Sequence, residues 1–422
     1  MKTCFSQNNL AVGRAGIIRH IMPSTNSSKG FGFFAMGPGL VTVGVLTGVF
    51  FFNFMARLIL APFVVNVEQE FSLSHVQAGQ LFLFASLGVS FALALSGFAA
   101  KVIKHRHLVV VSCVGVGLGL VLTSLAQSFL LMKLALLCMG LGAGLYLPSG
   151  ITIITSSLSS LDWGKGLAIH EMAPNMAFIL SPILAAAVEG FFSWRTVFAA
   201  LGVGSALMGL LFFFSNQGGE SRGESPRPAV LRMICRQPAF WILTVLFGLA
   251  VSLTFGVFSM LPVYLVSTHG LDKGWANELV SLSRIPSLVM ALGSGPVIDR
   301  IGAKKTVLIA LSVSAVLTIL LGLLSAPLVY AAVLLQPMCA VCFFAAGFTA
   351  ISMSFPDHIR NVAISLIIPL ALFMGTGVVP TLLGWFGDLG VFWLGFVLLG
   401  LMVLAGVNLA RGLVFSEDRG EI

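Results

Sequence analysis

The chain has 422 residues, of which 58% are hydrophobic and 9% charged. A soluble domain carries about 25% charged residues, so this composition, with a mean hydropathy of +1.03, excludes an ordinary water-soluble fold and points to solvation by lipid. The formal charge of +8 does not indicate nucleic acid, because the Lys and Arg are scattered over short loops rather than gathered on one stripe; the anionic cytoplasmic leaflet is their nearest partner.

Residues 1–38 are polar and basic, with Lys2, Arg14, Arg19 and Lys29, and carry no compact apolar segment with a cleavage site. They read as a cytoplasmic tail rather than a signal peptide, and Met22 and Met36 are further candidate starts. Apolar runs of about 20 residues, the length a bilayer requires, follow at about 41–67, 76–100, 108–126, 130–156, 166–188 and 197–214. The fourth holds Gly140 and Gly144, a small-residue spacing that lets helices approach closely in lipid. Residues 215–238 are rich in Gly, Ser, Pro and charge, which marks a linker; within it 229–236 could form a short basic helix on the membrane surface. Six more spans are expected at about 240–266, 275–298, 306–324, 328–352, 361–385 and 391–410, before a polar tail at 412–422. The reading is an all-α membrane protein of twelve transmembrane helices, in a half of six at 39–214 and a second at 239–411.

With the N-terminus inside, eighteen of the 23 Lys and Arg fall in cytoplasmic segments, three in outer loops and two within spans. Basic residues resist translocation, so both termini are expected in the cytoplasm, in a plasma (inner) membrane. A repeat supports the count. Gly97 and Gly295 close the second span of each half, Pro182 and Pro380 sit in the fifth, and both pairs are 198 residues apart.

The loop after the eighth span reads G-P-V-I-D-R-I-G-A-K-K from Gly295. Its Gly295, Asp299, Arg300, Gly302, Lys304 and Lys305 resemble the signature between the second and third helix of each half in the major facilitator superfamily. The resemblance implies two six-helix halves around a central cavity, alternating access, and a gating role for these six residues. The first-half copy, G-F-A-A-K-V-I-K-H-R, has Lys101 in place of the aspartate and Lys104 in place of the second glycine. The Trp194-Arg195 turn after the fifth span also resembles the superfamily.

A charge at mid-bilayer costs about 2.5–3.5 kcal/mol even on the lenient insertion scale, so it faces a cavity or a partner. Arg57 lies ten residues before Val67 and Arg284 fifteen before Asp299, depths of about 15 and 22 Å at 1.5 Å per residue. Neither is repeated: the residue 198 positions after Arg57 is Phe255, and 198 before Arg284 stands Ser86. A guanidinium fork suits a carboxylate, so both arginines are expected to bind an anionic substrate, with Tyr146 and Asn175 as further cavity hydrogen-bonders. Bonding of either arginine to helix carbonyls is the structural alternative. Arg284 looks like the eighth-span arginine of monocarboxylate and oxalate carriers. Arg57 resembles the first-span arginine of the anion:cation symporter branch, although Ala56 stands where that branch has an aspartate. Glu171, beside His170 in the fifth span, is a candidate proton carrier; the alternative is a helix-terminal carboxylate next to a capping histidine.

The expected function is a secondary active transporter of a small organic anion, proton coupling being one option. The protein is expected to be a monomer that needs no cofactor, binds no metal and has no catalytic residues. An exporter of hydrophobic compounds and a non-transporting sensor of the same fold stay open as alternatives. There is no G-x-x-x-x-G-K-[ST] nucleotide loop and no H-E-x-x-H or G-x-S-x-G motif, which argues against a pump or a hydrolase.

Overall fold

A computed structural model describes residues 38–215, 218–223 and 227–412; the expected tails, except for the residues nearest the helices, lie outside them. Lipid offers backbone groups no hydrogen bonds, so an apolar chain crossing it must satisfy them within helices. The described residues are accordingly helical, without strands. In the first half, α1 runs Pro38–Leu58 and continues past a break at Ile59 as Leu60–Phe71. It is followed by α2 (His75–Val102), α3 (His105–Leu125) and α4 (Phe129–Gly144, then Tyr146–Ser157). Next come α5 (Trp163–His170, then Met172–Val188) and α6 (Trp194–Ser215). A short α7 (Pro228–Cys235) lies in the linker, where the basic surface helix was expected.

In the second half, α8 is Pro238–Val251, a π-helical turn Ser252–Gly256 and Val257–His269. Then follow α9 (Lys273–Ile301), α10 (Ala303–Leu323) and α11 (Leu328–Ser354). α12 is Asp357–Leu372, a second π turn Phe373–Val378 and Val379–Asp388; α13 is Phe392–Val407. Among the described residues eleven helices are long and apolar enough to cross a membrane. The twelfth expected span, α9, is 29 residues long but carries Lys273, Glu278, Arg284, Asp299 and Arg300, so length rather than hydropathy marks it.

Within the first half, Gly140 and Gly144 of α4 lie against the Ala85 and Val89 carbonyls of α2, where any side chain would collide. Glu70 at the end of α1 accepts from Trp194 Nε1 at 2.5 Å and from Arg195 Nη2 at 2.7 Å, tying the start of α6 to α1.

Hydrogen bonds joining the two halves run from the Asp388 end to the midplane. The Asp388 carboxylate accepts from the backbone N–H groups of His75 (2.7 Å) and Val76 (3.0 Å). These are first-turn donors of α2, which its own helix leaves unpaired, and a carboxylate there also meets the positive helix terminus. Lys273 Nζ donates to Gln69 Oε1 at 2.7 Å, Asn277 Nδ2 to the Pro62 carbonyl at 3.1 Å, and Ser281 Oγ to the Ile179 carbonyl at 2.9 Å. Ser86 Oγ donates to the Phe373 carbonyl at 3.4 Å, nearer the middle. At the opposite end, Asp299 and Arg300 are exposed, and neither makes an ion pair among the described residues. Gly302 has φ +84°, the positive value that lets the chain turn sharply from α9 into α10.

Candidate functional site

Arg57 and Arg284, from helices of different halves, reach one aromatic cage. The Arg57 guanidinium carbon lies 4.7 Å from the centroid of the Phe54 ring and 5.7 Å from that of Phe255. That of Arg284 lies 4.6 Å from Phe178 and 4.8 Å from Phe258. The rings touch one another: Phe178 is 4.9 Å from Phe255 and 5.1 Å from Phe258, and Phe54 is 5.8 Å from Phe255. Ring faces attract cations more strongly once water is excluded, so the four phenylalanines hold both guanidinium groups without neutralising them.

Arg284 is 7% exposed. Its Nη2 donates to the Thr254 carbonyl at 3.2 Å, inside the π turn of α8. This is the carbonyl contact foreseen as the structural alternative, but it is incomplete: Nε is buried with no hydrogen-bond partner. Among the described residues neither arginine meets a carboxylate. Beside Arg57 is a space of about 20 Å³ lined by Ser86, Phe255, Ser259 and Thr376, among others, room for about one water. In this conformation the cage is nearly shut.

Tyr146 and Asn175 lie elsewhere. Tyr146 is fully buried; its hydroxyl donates to the Leu46 carbonyl of α1 at 2.7 Å and lies 2.9 Å from His170 Nε2. Asn175 Nδ2 donates to the Glu171 carbonyl at 2.9 Å, within α5. The structure brings His170 and Glu171 together: His170 Nδ1 is 3.7 Å from Glu171 Oε1, with the histidine side chain 0% and the glutamate 59% exposed. Phe50 stacks on His170 at 4.2 Å and 6°, and meets Phe54 edge-on at 5.3 Å. Along α1, therefore, Phe50 and Phe54 connect the His170 pocket to the Arg57 cage. Among the described residues no group of three His, Cys, Asp or Glu is placed to hold a metal ion.

Residues 46–293, more than half of the chain, match the family model of the Major Facilitator Superfamily. The chain belongs to this superfamily. It is a multi-pass integral membrane protein. Among curated relatives it is 23% identical to the Protein TsgA homolog of Serratia proteamaculans (strain 568) over 56% of the chain, and spans 61% of that protein's length. It is 22% identical to the Probable nitrate transporter NarT of Staphylococcus haemolyticus (strain JCSC1435), over 65% of the chain and 70% of that protein. Among solved structures, an inward-facing, occupied bacterial homolog of the human lysosomal transporter Spinster superposes with a TM-score of 0.74. Identity there is 15%, over 90% of this chain and 98% of the other; the likeness is one of fold.

The sequence reading missed Phe54, Phe178, Phe255, Phe258 and Thr254. With 35 phenylalanines in the chain, a ring facing the cage looks like a ring facing lipid. One signal was present. The positions 198 residues from the two arginines, Phe255 and Ser86, both line the space beside Arg57, as expected if corresponding faces of the two halves turn toward a shared axis.

Proposed function

We propose that the protein is a secondary active transporter of a small organic anion, a carboxylate, working by alternating access with a proton as the coupling ion. The observation that carries this is the Arg57–Arg284 cage: two guanidinium groups at the meeting of the halves, ringed by phenyl faces, with no acid against either among the described residues. Two desolvated cations without a counter-charge are costly, and an anionic cargo supplies that charge. The buried, unpartnered Nε of Arg284 is a donor ready for it. The Lys101 and Asp299 loops would then face the cytoplasm, as the distribution of basic residues suggests, with the structure sealed on the outer side.

A second reading, a small inorganic oxyanion, is favoured by the narrow space beside Arg57. The similarity to a probable nitrate transporter supports anionic cargo under either reading. Binding of a panel of monocarboxylates, dicarboxylates and nitrate to purified protein separates the two. In the Arg284→Ala and Arg57→Ala variants, loss of one member of a desolvated charge pair should cost about 2–5 kcal/mol, roughly 30- to 5,000-fold in affinity. Arg284→Lys should rescue only partly, because lysine lacks the planar fork. Near-native anion affinity in both alanine variants would sink the anion reading and favour a hydrophobic exporter.

A further inference from the structure

We propose that His170 and Glu171 form a store for a single proton, in which Glu171 exchanges the proton with water, His170 Nδ1 holds it, and Tyr146 sets the tautomer that makes Nδ1 the acceptor. This deepens the transport reading and relies on it for the cargo.

The tautomer follows from counting protons. The Tyr146 hydroxyl has one hydrogen, and the Leu46 carbonyl, 2.7 Å away, can only accept. That hydrogen therefore points to Leu46, leaving the phenolic oxygen as an acceptor toward His170 Nε2 at 2.9 Å. Neutral His170 accordingly carries its hydrogen on Nε2 and a bare lone pair on Nδ1. This Nδ1 is fully buried with no hydrogen-bond partner, and the Glu171 carboxylate lies 3.7 Å from it. An ionised carboxylate and a bare imidazole nitrogen are both acceptors, and one proton between them turns the contact into an attraction. A modest rotation of the exposed Glu171 side chain brings the two within hydrogen-bonding reach. The carboxylic acid then hands its proton to Nδ1, giving a carboxylate and an imidazolium.

The surroundings limit where that proton can go. Among the described residues, the titratable groups that meet His170 are Glu171 on its own helix and Tyr146 from α4, with Cys113 of α3 lying near the phenol. From α1 come the Phe50 ring, against His170, and the Leu46 carbonyl, against Tyr146. Past Tyr146 the phenolic hydrogen is already given to the Leu46 carbonyl, so the proton leaves by the way it came. Phe50 lies flat on the imidazole, and charging that ring adds a cation–π attraction to the stack. Because Phe50 touches Phe54, and Phe54 carries Arg57, loading the proton stiffens the segment of α1 that also carries a cage arginine.

The decisive measurement needs no cargo. In purified protein labelled with ¹⁵N-histidine, the His170 signal, identified by its loss in His170→Gln, should show the Nε2–H tautomer in the unloaded state and a second ring proton, on Nδ1, once the store is loaded by acidification. Tyr146→Phe should release the tautomer into a mixture, which also identifies the signal should His170→Gln fail to fold. In proteoliposomes, Glu171→Gln should lose accumulation driven by a pH gradient while keeping exchange of labelled anion. An Nδ1–H tautomer in the unloaded state, a signal that acidification leaves unchanged, or gradient-driven accumulation that survives in Glu171→Gln would each overturn the proposal. Loss of anion binding as the sole failure would count against the cargo reading and leave the histidine result standing.

Discussion

Two aspartates at opposite ends of the second half are in opposite conditions. Asp388 is engaged: it accepts two backbone hydrogen bonds from the first turn of α2 and so fastens one half to the other. Asp299, in the superfamily loop, is exposed and has no ion pair among the described residues. In a molecule that opens its two ends alternately, a latch is occupied at the closed end and idle at the other. The comparison motivates the proposal that the loop signature acts in a conformation other than this one.

The first-half loop differs from both. It lacks the aspartate, and the linker supplies an acid instead. Glu220 pairs with Lys104 at 2.6 Å and with Arg106 at 3.0 Å, while the backbone N–H groups of His105 and Arg106 donate to Ser221 and Gly219. The basic start of α3 is thus strapped to the linker, whereas Asp299 and Arg300 at the end of α9 make no ion pair among the described residues.

The sharpest way to break this comparison is Asp299→Asn. If Asp299 stabilises the alternative conformation, its loss should trap the present one and cut transport by about 5- to 150-fold, the usual range for coupling between two states, at normal expression. Spin labels at Leu130 and Trp393 should report the Asp388 end closed more often; unchanged transport would remove the gating role. Asp388→Asn should act in the opposite direction and more weakly. An exposed carboxylate at a helix N-terminus contributes about 0.3–1 kcal/mol, or roughly two- to fivefold in the population of the closed end. The same labels should move apart, and the double variant should lie between the two single variants. The smallest effect is expected from Glu220→Gln: under about twofold in transport, since exposed ion pairs contribute little. Its pH dependence has a definite sign. Hydrogen bonds from Lys104 and Arg106 hold the Glu220 carboxyl below the usual carboxylate range. The strap is therefore fully present above that range and is lost only as pH falls beneath it. Labels at Arg222 and His107 should separate there in the native protein, and show no such acid transition in Glu220→Gln.

The fold was legible because lipid leaves a chain few options: an apolar run of sufficient length becomes a helix. Even α9, too polar to stand out by hydropathy, was marked by the loop that follows it. The depths of Arg57 and Arg284 could be counted from helix rise, but that they share one cage could not. Their meeting depends on the rotation of α1 and α9 about their axes, and on Thr254, whose carbonyl faces Arg284 from within a π turn that no residue pattern announced. Tyr146 shows the same limit. Residue type suggested a cavity hydroxyl; contacts 24 and 100 positions away in the chain placed it beneath His170 instead. Asp388 was overlooked because an acid at a helix end near water looks ordinary until its partner, 313 residues distant, is seen.

The absence of an acid beside the two cage arginines, among the described residues, also has a consequence for membrane voltage. On the transport reading proposed above, the empty cage carries two positive charges through whatever fraction of the electric field its motion spans, and a bound monoanion reduces that to one. A full crossing is worth about 2.3 kcal/mol per elementary charge per 100 mV. On the proposed transport reading, the potential therefore biases the return of the empty carrier more strongly than the passage of the loaded one, and a cell's resting voltage adds to the contacts that decide on which side the unoccupied cage waits.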